Sequence, residues 1–348
     1  MAGEPGELLR RDLGGEPGAG LLRTIARGLT SSAGRAFLEL LLVILLGVVF
    51  NADGAFFKMG THRDTLRQAS VYGILACGMT LVMITGGIDL SVGSILAVSS
   101  VSFSILMMHM DWPWWLAVIA CLFLGSALGS MSGALVSNLK LQPFIATLAL
   151  MSFARGFAKL ITEGKKISTY VEQGGKVIIK QLPPIFKFID SSILGGNLPI
   201  VSVIFLVCLL VAWLFLARHR WGRELYSIGG NEEAARLSGV PVRMAKFLAY
   251  TFSGLMCAVA GIAQAAQETQ GDPVTGDGYE LIVISMVAIG GTSLAGGRGS
   301  MGLTLLGILT IGYLNKILSI NAVSDAGRRM ITGIIIVLAV LMQKRRTK

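Results

Sequence analysis

The sequence predicts an all-α polytopic membrane protein with about ten transmembrane helices, some of them discontinuous or broken by glycine, and with both termini in the cytoplasm. The first observation is composition: 53% of the 348 residues are hydrophobic and only 14% are charged, whereas soluble proteins carry about 25% charged residues. The second is length, because the hydrophobic residues and the 44 glycines together exceed the roughly 200 positions that ten helices of about 20 residues require. The third is the placement of Lys and Arg, which cluster in the tails and in the breaks between apolar runs.

Ten apolar segments follow one another along the chain, and most are long enough to cross a bilayer. An even number of crossings places both termini on one side of the membrane. Basic residues in both tails identify that side as the cytoplasm. The predicted segments are 36–56, 66–87, 90–109, 113–138, 144–162, 199–217, 245–267, 279–296, 301–320 and 328–342.

The regions outside these spans differ in composition. Residues 1–35 are rich in Gly, Pro and charge, which predicts a disordered cytoplasmic tail, and residues 344–348 form a basic cytoplasmic tail after a transmembrane domain of residues 36–343. Residues 218–245 fall on the cytoplasmic side and carry more Arg than Glu, in agreement with the positive-inside rule. Residues 163–198 fall outside the cytoplasm although their lysines outnumber their acids. Either a span is miscounted or this basic loop has a function.

The sequence argues against several functional classes. A net charge of +10 would make nucleic acid a candidate partner of a soluble protein, but here the cations orient the chain in a bilayer, and no nucleic-acid partner is expected. The four cysteines lie within apolar runs without the spacing of a metal site or a disulfide framework, so no metal is expected. No catalytic residues are assigned. Because the sequence has no GxxxxGK[ST] loop, ATP hydrolysis by that route would require another chain.

A polar, glycine-rich break interrupts the apolar sequence from Gly86 to Gly93. Asp89 lies near membrane depth, where a charge costs about 2.5 to 3.5 kcal/mol and needs a local reason. One interpretation is that Gly86 and Gly87 end one helix and that Asp89 or Ser91 caps the next by accepting from free backbone N–H groups. The other is that a broken helix lines a transport pathway. The two interpretations are compatible.

A second glycine-rich break lies between the predicted eighth and ninth spans. It contains Gly290, Gly291, Gly296 and Gly297, which we also assign to a pathway or broken helix. Residues 297–302 match the GxGxxG pattern, but no half-buried strand precedes them. The dinucleotide-binding interpretation is therefore rejected.

The third motif, residues 229–240, is a short polar helix pattern between two spans. Glu232 and Glu233 fall in its first turn, where the helix dipole favours anions, and Gly239 followed by Pro241 ends it. It is either a solvated connecting helix or a docking element that fits a groove on a soluble partner.

Two features concern the interior of the spans. Gly125, Gly129 and Gly133 recur every four residues, which predicts a helix face that another backbone approaches closely. Arg155 is the deepest ionisable residue within a predicted span. Such a residue is a candidate functional group that requires a partner, and Asp89 is the nearest acid by predicted depth.

Taken together, these motifs resemble the permease subunit of bacterial ABC sugar importers of the ribose, galactose and xylose type, within the branched-chain-amino-acid/ribose permease superfamily. The resemblance runs from about residue 66 to residue 341 and rests on four ordered segments: 84–94, 142–148, 229–239 and 290–300. It implies a multi-pass protein of the bacterial inner membrane. Such a subunit forms the translocation pathway for a monosaccharide or similar small polyol and is not itself an enzyme.

The resemblance also implies partners. They are an ABC ATPase subunit, a periplasmic sugar-binding protein, a second permease copy in a homodimer or heterodimer, and the lipid bilayer. ATP and Mg would bind to the ATPase, so no cofactor is expected in this chain. Residues 233–235 followed by Gly239 are similar to the EAA-x3-G coupling motif of importer permeases. The residues assigned to ATPase coupling are Glu232, Glu233, Ala234, Ala235 and Gly239.

Two further groups of residues are assigned on this basis. Lys165 and Lys166, in the periplasmic loop 163–198, are expected to meet acidic residues of the binding protein and to steer its encounter. Uncharged side chains inside the membrane could hydrogen-bond a sugar without trapping it, or could instead bond neighbouring helices. These candidates for the sugar path are Thr85, Gln142, Thr147 and Asn315.

The main alternative is a self-contained secondary transporter of a small polar solute. It would also have broken helices, but it would not need the polar helix at 229–240, and carboxylates for coupling ions should be more numerous at mid-membrane. A membrane scaffold without a transport path is the remaining possibility.

Overall fold

A computed structural model describes residues 31–173 and 176–344 and shows a bundle of long helices. Most of each predicted tail, residues 1–30 and 345–348, lies outside the described residues. The first half of the bundle consists of α1 (Ser32–Val49), α2 (Met59–Ile84), α3 (Val92–Ser104, continued by a π-helical turn Ile105–His109), α4 (Trp114–Ser137) and α5 (Pro143–Ile161). The second half consists of α7 (Ile200–Arg218), α8 (Arg220–Gly230), α9 (Glu232–Leu237), α10 (Val242–Glu268), α11 (Tyr279–Ile289), α12 (Met301–Ile320) and α13 (Asp325–Lys344).

Seven helices of the described part are long and apolar enough to cross a membrane. They are α2, α3 with its π-helical turn, α4, α5, α7, α10 and α12. With α1, α13 and the shorter apolar helix α11, the order of elements follows the ten predicted segments. The prediction of a polytopic helical membrane protein is thus confirmed, while the count of ten crossings and the cytoplasmic termini stay predictions.

One predicted span ends early. The segment 279–296 is helical only to Ile289, and residues 290–300 form turns. Gly291 has a φ of 106° and Gly296 a φ of 88°, a region that glycine adopts without the steric cost paid by other residues. These glycines stop the helix, so that α11 has 11 residues.

The loop 163–198 adds short β structure to a fold predicted to be all-α. Strands β1 (Tyr170–Gln173) and β2 (Lys176–Ile179) form one antiparallel hairpin. Helix α6 (Pro184–Ile189) and a minimal pair of strands, β3 (Ser192–Ile193) and β4 (Leu198–Pro199), complete the loop. The sequence signal for this hairpin is the pair Gly174-Gly175 between two short segments that contain Val and Ile.

Helix α10 lies at the centre of the bundle and packs against α2, α3 and α4. The glycine face of α4 explains the contact with α10: a Cβ added at Gly125 would lie 2.6 Å from the carbonyl oxygen of Gly254, and one at Gly133 would lie 2.9 Å from that of Phe247. Only glycine allows two helix backbones to approach this closely. The predicted packing role of the glycine stripe is confirmed.

After α10 the chain folds back along α3. Gly271 packs against the α3 backbone at Val101, and Gly276 packs against Gly93 in the first turn of α3. These contacts on α3 are separated by 8 residues, or about 12 Å along the helix axis. The loop 269–278 therefore returns toward the middle of the bundle, and α11 begins there.

Candidate functional site

The three glycine-rich motifs of the sequence meet at one place. The backbone N–H of Gly297 donates a hydrogen bond to the carbonyl oxygen of Ile84 at 2.9 Å. Gly229, near the end of α8, lies between these two groups, since a Cβ added there would overlap both of them. We call residues 84–87, 229–230 and 295–297 the glycine junction.

Backbone geometry makes glycine necessary at the junction. Gly86 (φ 78°), Gly296 (φ 88°) and Gly297 (φ 72°) adopt left-handed conformations that cost other residues about 1 kcal/mol or more. A Cβ added at Gly296 would lie 2.8 Å from the backbone nitrogen of Gly86. The junction is thus a contact of backbone with backbone, and it joins the α2–α3 break, the end of α8 and the α11–α12 connection.

Gly87 of the junction and Gly290, directly after α11, fit against neighbouring helices. A Cβ added at Gly87 would lie 2.5 Å from the hydroxyl oxygen of Tyr250 on α10, and one at Gly290 would overlap the carbonyl of Leu303 in α12. The Tyr226 hydroxyl in α8 donates to the carbonyl oxygen of Gly299 at 2.8 Å. These contacts attach α8, α10 and α12 to the junction.

Asp89 is fully buried and holds the α2–α3 break in place. Its Oδ1 accepts from the backbone N–H of Ser91 at 3.0 Å and from the Ser91 hydroxyl at 2.5 Å, and its Oδ2 accepts from the Ser253 hydroxyl in α10 at 2.8 Å. The Ser91 side chain makes no capping bond to α3. Of the two capping candidates from the sequence, the carboxylate of Asp89 is therefore the one that accepts a backbone N–H.

The motif at 229–240 is a short helix, α9, that projects from the bundle. Its N-cap is Asn231, whose side chain accepts from the backbone N–H of Ala234 at 2.9 Å. Ala235 is buried against the bundle, whereas Leu237 is 80% exposed. Gly239 ends the helix with a φ of 82°. Helix α9 packs on α8 and α10, and α8 carries Gly229 of the glycine junction.

Charged groups surround the base of α9. Glu233 pairs with Arg236 at 2.6 Å, and Glu232 pairs with Lys246 of α10 at 2.6 Å. A cavity of about 350 Å³ lies between the start of α5, α9 and the start of α10. It is lined by Lys140, Gln142, Glu232, Arg236, Arg243 and Lys246, among others. With four cationic side chains and one acidic side chain in its lining, this cavity is strongly basic.

Arg155 of α5 lies at a second cavity, of about 370 Å³. Its Nη1 donates to the carbonyl oxygens of Pro273 at 2.8 Å and Thr275 at 2.7 Å, both in the loop 269–278. Asp277 and Glu280 attract the guanidinium electrostatically. Asp89, the candidate partner of Arg155 by predicted depth, does not pair with it, because Asp89 bonds Ser91 and Ser253. Asp277 of the returning loop and Glu280 of α11 line the cavity of Arg155 instead.

The four polar candidates for a sugar path do not share one cavity. The Thr85 hydroxyl donates to the Val82 carbonyl at 2.7 Å, and Thr147 is fully buried and donates to the Pro143 carbonyl at 2.9 Å and to that of Ile88 at 3.3 Å. Gln142 lines the basic cavity at the base of α9. Asn315 lies in α12, which packs on α1, α2 and α11, whereas α5 packs on α3 and α4.

Lys165 and Lys166 both have acidic partners within the chain. Lys165 pairs with Glu163 at 3.3 Å on the surface, and Lys166 pairs with Asp272 at 3.1 Å. Beside this pair, Ile167 and Gly271 exchange backbone hydrogen bonds of 2.7 and 2.8 Å. The loop 163–198 is thereby fastened to the loop 269–278 that holds Arg155.

Sequence reasoning missed three residues that the geometry places at these sites. Asp277 and Glu280 line the cavity of Arg155, and a signal existed, since both acids flank the start of a predicted span at residue 279. Leu237 is the large apolar side chain exposed on α9. The sequence could not predict that this side chain is exposed, because α9 is too short to show a clear periodicity of hydrophobic residues.

Comparison with known proteins gives a consistent result. The family model described as "Branched-chain amino acid transport system / permease component" matches residues 63–340. The ribose import permease protein RbsC of Escherichia coli (strain K12) is 38% identical over 308 residues, which is 88% of this chain and 92% of that protein. The L-arabinose transport system permease protein AraH of the same strain is 34% identical over 321 residues, 91% of this chain and 94% of that protein.

A third relative extends the range of organisms. The fructose import permease protein FrcC of Rhizobium meliloti is 33% identical over 324 residues, 93% of this chain and 89% of that protein. No solved structure shows a significant match. From the extent of the family match and of these three alignments, the chain belongs to the family of branched-chain amino acid transport system permease components.

Proposed function

We propose that this chain is the transmembrane permease subunit of an ATP-driven importer and forms the pathway for a monosaccharide or similar small polyol delivered by a periplasmic binding protein. The names of its relatives, which are ribose, arabinose and fructose permeases, support sugar import. The structural observation that carries the proposal is α9, a short exposed helix whose base is attached through the glycine junction to the α2–α3 break. Such a helix suits a partner that drives the bundle from the cytoplasm.

The partner of α9 is an ABC ATPase, which would hold ATP and Mg. Residues Glu232, Glu233, Ala234, Ala235 and Gly239 shape the helix, and Leu237 supplies the apolar side chain that enters the ATPase groove. An exposed Leu becomes favourable once it is buried, by about 1.5 to 3 kcal/mol. The glycine junction then transmits movement of α9 to the pathway glycines of the α2–α3 break and of the α11–α12 connection.

The import pathway forms between two copies of the chain in the bacterial inner membrane. Among the seven long apolar helices, α5 has the smallest buried share, 28%. It exposes Phe144, Ile145, Phe153 and Leu160, although it also carries Arg155. An exposed helix that bears both an apolar face and an intramembrane charge is suited to meet a second copy around a polar path.

The binding protein docks on the outer loop 163–198. Lys165 is 73% exposed in its side chain and Lys166 is 60% exposed, so both remain available to acidic groups of a partner despite their internal pairs. Exposed ion pairs contribute only about 0 to 1 kcal/mol to stability. Each lysine can therefore leave its acid within the chain for an acid of the binding protein at little cost in free energy. The backbone hydrogen bonds between Ile167 and Gly271 join this loop to the loop 269–278. Docking of the binding protein can therefore displace the loop that Arg155 holds.

A replacement of Leu237 tests the proposal. Leu237→Glu places a charge on the surface of α9 and is expected to reduce co-purification of the ATPase at least tenfold without lowering the thermal stability of the chain. The matched control is Leu194→Glu in the outer loop, because Leu194 is also largely exposed, at 72%. Equal retention of the ATPase by both variants would contradict the assignment of α9.

A secondary transporter is the second candidate, and one observation favours it. Asp277 and Glu280 line the cavity of Arg155, and intramembrane carboxylates carry coupling ions in such transporters. The two candidates differ in energy source. Uptake that stops on ATP depletion but persists with a protonophore supports the importer, and the reverse pattern supports the secondary transporter.

A further inference from the structure

The cavity beside Arg155 has the charge composition of a site for a neutral polar ligand. It is lined by two cations, Arg155 and Lys159, and two acids, Asp277 and Glu280. No ion pair within 4.0 Å joins these cations and acids in the described part of the chain, whose ion pairs lie elsewhere. The formal charges balance, so the cavity does not select an anion or a cation by net charge.

The hydrogen-bonding groups match adjacent hydroxyls. Arg155 uses Nη1 to hold the loop 269–278, and its Nε and Nη2 make no hydrogen bond within the described residues. A guanidinium presents donors in a planar fork, and a carboxylate accepts two or more hydrogen bonds. One hydroxyl of a diol can therefore accept from Arg155 while its neighbour donates to Glu280. The Ser94 and Ser152 side chains add smaller polar contacts.

Size and depth are also appropriate. Ligand cavities have volumes of about 300 to 1,000 Å³, and a cavity of about 370 Å³ is at the small end of that range. Arg155 is 12 residues from the start of α5, or about 18 Å along a helix that crosses a core about 30 Å thick. With the predicted orientation, in which α5 begins at the cytoplasmic side, the cavity lies beyond the middle of the bilayer, toward the side of the outer loop.

Two helices that line the cavity, α3 and α11, are directly connected to the segments that form the glycine junction. Glu280 is in the first turn of α11, whose other end is followed by Gly290 and Gly291. Ser94 is in the first turn of α3, directly after the break that holds Asp89. Gly93 packs against Gly276, and a Cβ added at Gly93 would lie 3.0 Å from Oε2 of Glu280. A movement at the junction therefore displaces both α3 and α11 at the cavity.

We propose that this cavity is an intramembrane binding station for the transported polyol, in which Arg155 and Glu280 hydrogen-bond neighbouring hydroxyls. This inference rests on the proposed import function and names its substrate-binding residues. It replaces Thr85, Gln142, Thr147 and Asn315 as the principal polar contacts of the path. The binding protein delivers the polyol to the outer loop, which is hydrogen-bonded at Gly271 to the loop 269–278 that Arg155 holds.

Uptake and site protection together test the station. The chain is assembled with its ATPase and binding protein in proteoliposomes, and uptake of radiolabelled D-ribose, L-arabinose and D-fructose is measured for Glu280→Gln, which removes the charge with little change of shape. Glu39→Gln is the matched control, because Glu39 lies within α1, which packs on α12, and does not line the cavity. Thermal unfolding of each variant confirms its folding.

A cysteine placed in the cavity reports occupancy directly. All four native cysteines are buried, so Ser152→Cys, at the cavity, and Ser191→Cys, on the outer loop, become the reactive thiols. The sugar that is taken up is expected to slow maleimide labelling of Ser152→Cys at least threefold, to leave Ser191→Cys unaffected, and to lose this protection when Glu280→Gln is added.

The outcomes separate the station from the import function. At least a tenfold loss of uptake in Glu280→Gln, with Glu39→Gln within twofold of the original chain and with sugar protection of Ser152→Cys, supports the station. Full uptake in Glu280→Gln, or no protection by the sugar that is taken up, overturns the station and leaves the importer intact. Absence of ATP-dependent uptake by the original chain overturns both proposals.

Discussion

Gly229→Ala is the substitution that most directly perturbs the glycine junction. The added methyl group would overlap the Ile84 carbonyl and the Gly297 backbone nitrogen, so it would separate the two groups that share the 2.9 Å hydrogen bond. Overpacking costs about 1 to 3 kcal/mol, and loss of the hydrogen bond adds about 1 kcal/mol. Alanine regains at most about 1 kcal/mol of helix propensity. The expected net cost is about 1 to 3 kcal/mol.

The neighbouring residue supplies a matched control. A Cβ added at Gly230 has no heavy atom within 4 Å, so Gly230→Ala keeps the junction and gains helix propensity of up to about 1 kcal/mol. The two variants have the same composition and differ by one position in α8. Any difference between them therefore reports on the junction.

Stability and coupling are measured on the same preparations. We expect Gly229→Ala to lower the midpoint of thermal unfolding in detergent and to reduce ATP-driven sugar uptake about 5- to 150-fold, the range that corresponds to 1 to 3 kcal/mol of coupling free energy. Gly230→Ala should retain uptake within twofold. If both variants behaved alike in both assays, the junction would not be the element that links α9 to the pathway.

Three further substitutions test separate contacts. Asp89→Ala leaves the Ser91 backbone N–H and the Ser253 hydroxyl without their acceptor, and it should destabilise the purified chain by about 1 to 3 kcal/mol per unpaired group, measured by thermal unfolding; an unchanged midpoint would refute this role. Asn231→Ala removes the cap of α9, which is worth about 1 kcal/mol, and should weaken ATPase binding while leaving the unfolding midpoint of the bundle unchanged; undiminished ATPase affinity would count against it. Lys165→Glu should slow association of the binding protein at low salt, with the difference vanishing in about 0.5 M salt because exposed charges are screened; equal rates at low salt would contradict docking at this lysine.

The sequence predicted the long helices well, because apolar length is a strong signal in a membrane. The predicted segment 199–217 differs from the helix Ile200–Arg218 by one residue at each end. The predicted end of the segment 279–296 was wrong. Hydropathy detects apolar composition, but it does not detect the left-handed backbone at Gly291 and Gly296 that follows the end of α11. The glycine motifs were found individually. Their meeting at one junction follows from the packing of α2, α8 and α12, which sequence order does not specify.

The environment of Arg155 shows the other limit of sequence reasoning. Depth along a predicted span favoured Asp89 as its partner, whereas the structure places Asp277 and Glu280 there. The difference arises in the loop 269–278, which folds back along α3 through close contacts at Gly271 and Gly276. A linear count of spans treats such a loop as lying outside the membrane, and it then overlooks Asp277 in the loop and Glu280 directly after it.

Purification of the tagged chain from its own membranes, with measurement of its bound subunits and their ATP hydrolysis, tests the central proposal most directly. We expect two permease copies with an ABC ATPase in fixed stoichiometry, and a change in ATP hydrolysis when the sugar-loaded binding protein is added. A chain recovered alone under conditions that preserve known transporter complexes, and able to drive sugar uptake from an ion gradient without ATP, would contradict it.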